Sequence, residues 1–171
     1  MIPRWIKTAT PEEAAYLSLE HPGTPTARLW IPGEAVPCGS KKPVPIRGGP
    51  NAGRCTCVED AKGADAWKSH VRRSAALQWR GPAWDCPIFI SVLFVRPRPP
   101  SHYTARGALS ARATPYPATK PDTTKLLRGV EDGLEGVAYV NDSRVVSQRA
   151  GKRWTDRGRD PGVLVLLAKV L

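Results

Sequence analysis

KPDTTKLLRGVEDGLEGVAYVND, residues 120–142, is the stretch that decides how this chain is read. It packs a turn, an amphipathic helix and a second acidic turn into one short span. On a helical wheel begun at Asp122, at about 100° per residue, Leu126, Leu127, Val130 and Leu134 fall on one arc. Thr124, Arg128, Glu131, Asp132 and Glu135 fall on the opposite arc. One face is therefore built for a core, and the other presents carboxylates around an arginine. Asp122 stands at the start and Asp142 at the end. Carboxylates in this arrangement suit a hard divalent cation such as Mg²⁺, which takes oxygen ligands and keeps several waters. An ordinary surface helix with an aspartate N-cap fits the same spacing, so the wheel alone leaves both readings open.

Working outward, the helix is predicted over 123–135, and SRVVSQRAGKRW at 143–154 reads as a strand. GVLVLLAKVL at 162–171 reads as a last strand. On the other side, RPRPPSHYTARGALSARATPYPATKP forms a long loop holding Arg96, Arg98, Arg106, Arg112 and Lys120, with no acid between Asp85 and Asp122. A loop of that length inside a compact domain is usually functional or mobile; a solvated surface loop fits it, and five unbalanced cations beside Tyr103 and Tyr116 suit phosphate contact. PIFISVLFV at 87–95 is apolar on both faces, the mark of a central strand. ADAWKSHVRRSAALQW at 64–79 reads as a basic helix, with Asp60 available as a cap. RLWIPGEAV at 28–36 and RCTCV at 54–58 read as a hairpin joined by a Gly- and Pro-rich loop over 37–53. The expected order, β-β-α-β-loop-α-β-β, gives an α+β fold: one domain, a mixed and mainly antiparallel sheet, and two main helices. Residues 1–26 read as an N-terminal extension, with TPEEAAYLSLE as a short helix, and 27–171 as the domain.

The 171 residues are enough to bury a core. The net charge is +11, which favours a polyanion as partner. No apolar run approaches the ~18 residues of a membrane span, and the N-terminus carries no secretory pattern, so a cytoplasmic protein without a membrane partner is expected. In that compartment Cys38, Cys55, Cys57 and Cys86 are expected as ordinary thiols rather than a zinc site. There is no GxxxxGK[ST] loop, no GxGxxG and no GxSxG elbow. His21, His70 and His102 show no metal-ligand spacing.

KPDTTKLLRGVEDGLEGV followed by NDSRVV resembles the RusA family of Holliday junction resolvases, common in phages and prophages. GSKK at 39–42, the apolar strand ending in RPRPPSHY, and PATKPD at 117–122 extend the likeness over about residues 28–171. The resemblance implies a small homodimeric, Mg²⁺-dependent endonuclease of α+β fold, with Mn²⁺ as an alternative ion, that binds four-way junctions or other branched DNA and nicks strands in pairs. It would work in the cytoplasm, of the bacterial host if phage-encoded. Asp122 matches the first metal-binding aspartate of the pattern, Asp132 the mid-helix aspartate, and Asp142 the last catalytic carboxylate of the Asp-Asp turn. Arg128 stands at the catalytic lysine position and keeps its charge.

Two departures matter. Thr124 stands where a second aspartate is usual, and Lys125 where asparagine is common. A threonine hydroxyl is neutral where Mg²⁺ wants charge, and Glu131 lies two turns on along the same face. Glu131 or Asp132 is therefore expected to supply the missing carboxylate. Asp122, Arg128 and Asp142 form the expected catalytic set, and Asp122, Asp142, Asp132 and Glu131 the expected metal set. DNA contacts are expected from Lys41, Lys42, Arg98, His102, Arg106, Lys120, Lys125, Lys152 and Arg153. Gly129 and Gly133 each cost the helix about 1 kcal/mol against alanine, which a close approach by another backbone or by DNA would explain. The competing readings are a catalytically degenerate protein that binds branched DNA without cutting it, and an RNA-binding basic protein. The acid-lined helix argues against the second.

Overall fold

A computed structural model describes residues 26–39, 41–59, 62–155 and 159–170. Residues 1–25 of the expected N-terminal extension and the Asp60 cap lie outside the described residues, and Thr26 already belongs to the first strand. The elements in order are β1 (Thr26–Pro32), β2 (Lys41–Pro45), β3 (Cys55–Glu59), α1 (Ala64–Ala76), β4 (Ile88–Arg96), α2 (Thr123–Leu134), β5 (Val145–Trp154) and β6 (Gly162–Lys169). Short 3₁₀ turns at Pro100–His102 and Asp142–Arg144 precede α2 and β5 respectively.

The main sheet runs β1-β6-β4-β5. The β1–β6 and β4–β6 pairs are antiparallel, and β4–β5 is parallel, with α2 as the crossover between them. The fold is α+β with a mixed, mainly antiparallel sheet, as the sequence predicts. Strands β4 and β6 are central and buried along almost their whole length. That is why they read as unbroken apolar runs rather than alternating ones. One sheet face sends Leu29, Ile31, Ile90, Val92, Phe94, Val163, Val165 and Leu167 into a core shared with Trp67, Val71, Ala75, Leu126, Val130 and Leu134 of the helices.

The expected hairpin between the first two strands is not formed. β1 ends at Pro32, where Gly33 turns at φ +101°, and it pairs with β6 instead. β3 pairs with β2, which lies inside the segment read as loop. KKPVP hides a strand because its prolines look like breakers. In the register, Pro43 faces Cys57 and Pro45 faces Cys55, while the adjoining Ile46 N–H bonds the Arg54 carbonyl at 2.8 Å. The prolines therefore take the pair positions whose backbone points to the free edge, where no donor is needed.

The two helices pack against each other unusually closely. A Cβ on Gly133 would lie 2.6 Å from Val71 Cβ and 3.0 Å from the Lys68 carbonyl. One on Gly129 would lie 2.7 Å from Cys38 Sγ. The glycines of α2 are thus explained by α1 and the buried Cys38, not by DNA.

Candidate functional site

Helix α2 carries the candidate site, and its apolar stripe fixes its orientation. Leu126, Leu127, Val130 and Leu134 are buried, as the wheel requires. Thr124, Lys125 and Arg128 are exposed, and Glu131 and Asp132 are half-buried at the rim. Asp122 sits at the N-cap position, yet its carboxylate makes no hydrogen bond to the helix N–H groups. Its nearest ion partner is Lys125 Nζ at 3.9 Å. The plain capping role therefore does not consume this carboxylate.

The turn at residues 38–39 is docked on the start of α2 by the Cys38 N–H, which donates to the Lys125 carbonyl at 2.8 Å. Gly39, at φ +91°, lies against the Arg128 side chain: a Cβ there would come within 2.8 Å of Arg128 Cδ. Gly39 and the arginine at the expected catalytic position are thus in contact.

At the other end of α2, Glu131 and Asp142 line one open groove of about 480 Å³, with Ser143, Val145, Val146, Ser147 and Gln148. Burial, then the charges of Asp132 and Asp142, push the Glu131 carboxyl up to about 7, against the pull of Arg128. Tyr139 is fully buried beneath, and its hydroxyl donates to the Glu131 carbonyl at 3.0 Å. Its ionisation is pushed far up by burial and then by Glu131, Asp142, Glu135 and Asp132. Asn141 sets the turn that carries Asp142: its side chain accepts from the Ser143 N–H at 3.0 Å and donates to Glu135 Oε1 at 3.1 Å.

Asp132 points elsewhere. Its carboxylate pairs with Lys68 Nζ of α1 at 3.1 Å. Of the two helix acids expected to replace the missing aspartate, only Glu131 faces the groove.

Asp122 does not join Glu131 and Asp142 in one copy of the chain. At about 1.5 Å of rise per residue, α2 separates Asp122 from Glu131 by roughly 13 Å. Strand β5 tells the same story. Val145 lies opposite Ile88 and Lys152 opposite Phe94, so β5 leads from the Asp142 end of the fold to the Asp122 end. Within one copy, α2 therefore stands between Asp122 and the Glu131–Asp142 groove. Among the described residues, no three His, Cys, Asp or Glu side chains are gathered closely enough to hold a metal. The donor set in the groove is nonetheless all oxygen: two carboxylates beside two serines and Gln148. That chemistry fits a hard divalent cation held by one or two carboxylates and completed by water and substrate phosphate.

The cations around the site divide into two groups. Lys42, Arg106, Lys120 and Lys125 are exposed, while the side chain of Lys41 lies outside the described residues. Arg98 and Lys152 turn inward. Arg98 donates to the Thr114 carbonyl at 3.1 Å and approaches His102 Nδ1 at 3.4 Å. Its guanidinium also lies over the Trp154 ring. Trp154 Nε1 donates to the same Thr114 carbonyl at 3.1 Å, and the His102 ring meets the indole edge-on. The long loop is therefore pinned rather than structureless. Lys152 Nζ donates to the carbonyls of Thr119 at 2.8 Å and Pro121 at 3.0 Å. Arg153 is half-buried, and its Nε donates to the Trp154 carbonyl.

Sequence reasoning missed Tyr139, Ser143, Ser147, Gln148 and Trp154. Their signal was positional only, an aromatic in the acidic turn and polar residues at the start of β5. No helix among the described residues is long and apolar enough to cross a membrane.

Residues 38–165 match the family model described as endodeoxyribonuclease RusA. An uncharacterized protein, YqaN of Bacillus subtilis (strain 168), is 29% identical over 86 residues, covering 49% of this chain and 58% of that protein. The chain thus spans a little over half the length of the curated relative it matches.

Proposed function

The chain belongs to the RusA family of endodeoxyribonucleases, and from that membership we propose that it resolves Holliday junctions and related branched DNA by paired, metal-dependent phosphodiester hydrolysis. The observation that carries the reading is the Glu131–Asp142 groove. Two carboxylates face one open space in a chain of net charge +11, and one of them has its pKa raised to about 7. A protein that only binds polyanions gains nothing from acids there.

Mg²⁺, or Mn²⁺ in its place, when bound supplies charge neutralisation at the scissile phosphate and activation of water. Glu131 and Asp142 would hold it, and Asp122 is the third carboxylate of the set. Glu131 exchanges a proton readily near neutral pH, which suits either ligation after deprotonation or proton transfer. Arg128 anchors the phosphate and stabilises the charge that builds up on it, a role that suits a guanidinium. Lys42, Arg106, Lys120 and Lys125 are the exposed cations offered to the DNA backbone. The phosphate contacts make affinity fall steeply with salt.

The separation of Asp122 from the groove bears on assembly. A homodimer related by a two-fold axis matches the symmetry of a four-way junction. It also lets the Asp122 end of one copy meet the Asp142 end of another, so that each site draws on both. The proposed setting is the cytoplasm, of a bacterial host if the chain is phage-encoded.

The test is a synthetic four-way junction beside linear duplex and RNA, with Mg²⁺ and with EDTA. Paired nicks on the junction alone are expected, with weaker junction binding in EDTA. Asp122→Asn and Asp142→Asn should bind the junction at least as well as wild type and fail to nick it. Nicking at the wild-type rate by either variant sinks the assignment, and a wild type that binds without cutting marks a degenerate site.

A further inference from the structure

Three successive carbonyls immediately before Asp122 each accept a hydrogen bond from a basic side chain of the sheet. Lys152 Nζ, on β5, takes Thr119 at 2.8 Å and Pro121 at 3.0 Å. Arg96, at the end of β4, donates from Nη1 to Lys120 at 3.0 Å. Arg96 is itself held by Glu34, whose Oε1 accepts from Nη2 at 2.8 Å.

The Pro121 carbonyl belongs to the peptide plane that ends in the Asp122 nitrogen. Fixing that plane fixes where the Asp122 Cα–Cβ bond starts, because a peptide is planar and only φ remains free. On its other side, Asp122 is already committed: its carbonyl accepts from the Leu126 N–H at 3.1 Å as the first bond of α2. The backbone of Asp122 is thus held from both directions, while its carboxylate caps nothing.

A proline-bearing segment such as Ala118-Thr-Lys-Pro121 has few donors with which to hold itself. It needs donors from outside, and charged ones make the stronger bonds. Lys152 is only half-exposed, and Arg96 is similarly covered. Neither has the open reach of Lys120 or Lys125 toward a DNA backbone.

From this arrangement we propose that Lys152 and Arg96, with Glu34 behind Arg96, are positioning residues that aim the Asp122 carboxylate at its divalent cation, and that Lys152 is not a phosphate contact. The inference rests on the nuclease reading, in which Asp122 is a metal ligand. Residues that orient a metal ligand typically contribute roughly 10–100-fold to metal affinity or activity.

The experiment measures Mn²⁺ binding to the full-length protein by electron paramagnetic resonance, junction affinity in EDTA, and the Mn²⁺ concentration at half-maximal nicking. Lys152→Met is expected to weaken Mn²⁺ binding and raise the half-maximal Mn²⁺ by roughly 10-fold or more, with junction affinity in EDTA unchanged. Lys152→Arg, which can still donate to both carbonyls, should recover part of the loss. If Lys152→Met does not fold, Glu34→Gln serves instead, and it should show a smaller shift in the same direction by loosening Arg96. Loss of junction affinity in EDTA with Mn²⁺ binding intact would make Lys152 a phosphate contact and overturn the inference. So would Mn²⁺ binding by Lys152→Met, or in its place Glu34→Gln, that matches a wild type which binds Mn²⁺ and nicks. A wild type that neither binds Mn²⁺ nor nicks would instead overturn the nuclease reading, and the inference with it.

Discussion

The hydroxyl of Tyr139 donates to the backbone carbonyl of Glu131 at 3.0 Å, so the acidic turn after α2 is fastened to the residue that faces the groove. The same carbonyl also accepts from the Glu135 N–H at 3.1 Å. Removing the phenol therefore leaves an acceptor that still has one partner. Tyr139→Phe should cost about 1 kcal/mol, the net worth of one buried hydrogen bond, rather than the larger penalty of an orphaned group. Urea denaturation at neutral pH measures it, and the family of curves should keep its slope.

Glu131 makes stability depend on pH in a direction opposite to an ordinary ion-paired acid. Its pKa rises from the usual 4.5 to about 7 on folding. Between those values the folded chain holds a proton that the unfolded chain releases, so stability falls as pH rises through that window, and the loss is complete above about 7. Gln at this position does not titrate. In EDTA, Glu131→Gln should therefore gain on wild type from pH 4.5 upward. The gain should reach about 1 kcal/mol at pH 8, because a half-exposed carboxyl is partly screened. Adding Mn²⁺ should reverse the order, since only wild type can bind it through this side chain. Thermal melts at pH 5 and pH 8, each with and without the ion, check both halves.

The sequence made some of this legible and hid the rest for physical reasons. Strands β4 and β6 and both helices were readable because unbroken apolar runs and a 3.6-residue period leave little choice of element. The β2–β3 ribbon was hidden because Pro43 and Pro45 look like breakers until the register shows them on the free edge. The parallel pairing of β4 with β5 was available in principle, since a strand, a helix and a strand in succession are the parts of a crossover. That crossover is what sends Asp122 and Asp142 to opposite ends of α2, a separation the helical wheel cannot display because it collapses the axis. The hydrogen bonds of Lys152 and Arg98 were illegible for a different reason. A cation in a basic stretch reads as a phosphate contact, and nothing in the residue order shows that its donors go to the chain's own carbonyls.

Gly129 and Gly133 should respond differently to the same substitution. Alanine gains each about 1 kcal/mol in helix propensity. At Gly129 the new methyl meets Cys38 Sγ at 2.7 Å and Trp67 Cδ1 at 3.2 Å, both side-chain atoms that can shift, with the Val36 carbonyl at an ordinary 3.4 Å. At Gly133 it meets Val71 Cβ at 2.6 Å and the Lys68 carbonyl at 3.0 Å, both fixed to the backbone of α1. Relieving that clash requires moving a helix. Overpacking of this kind costs roughly 1–3 kcal/mol or more, so Gly133→Ala should be clearly destabilising and Gly129→Ala much less so. Chemical denaturation of the pair gives the order, and equal effects would mean that the helices separate without resistance.

The distance between Asp122 and the Glu131–Asp142 groove leads to the most discriminating prediction. Two ways of building a site from these residues differ in what a mixed dimer does. Take one copy carrying Asp122→Asn and another carrying Asp142→Asn, each inactive as a homodimer. If every site used both aspartates of the same copy, each site in the mixed dimer would lack one carboxylate, and no mixture would nick. If a site takes Asp122 from one copy and Asp142 from the other, the mixed dimer has one site with both substitutions and one with neither. The geometry of α2, with roughly 13 Å of helix between Asp122 and Glu131, favours the second arrangement. Co-purified mixed dimers should then recover single-strand nicking of a four-way junction, at one strand per dimer and without the paired second cut. They should also bind Mn²⁺ at half the wild-type stoichiometry with undiminished affinity. A mixed dimer as inert as its parents would return the site to a single copy, and would require α2 or the acidic turn to move on binding DNA.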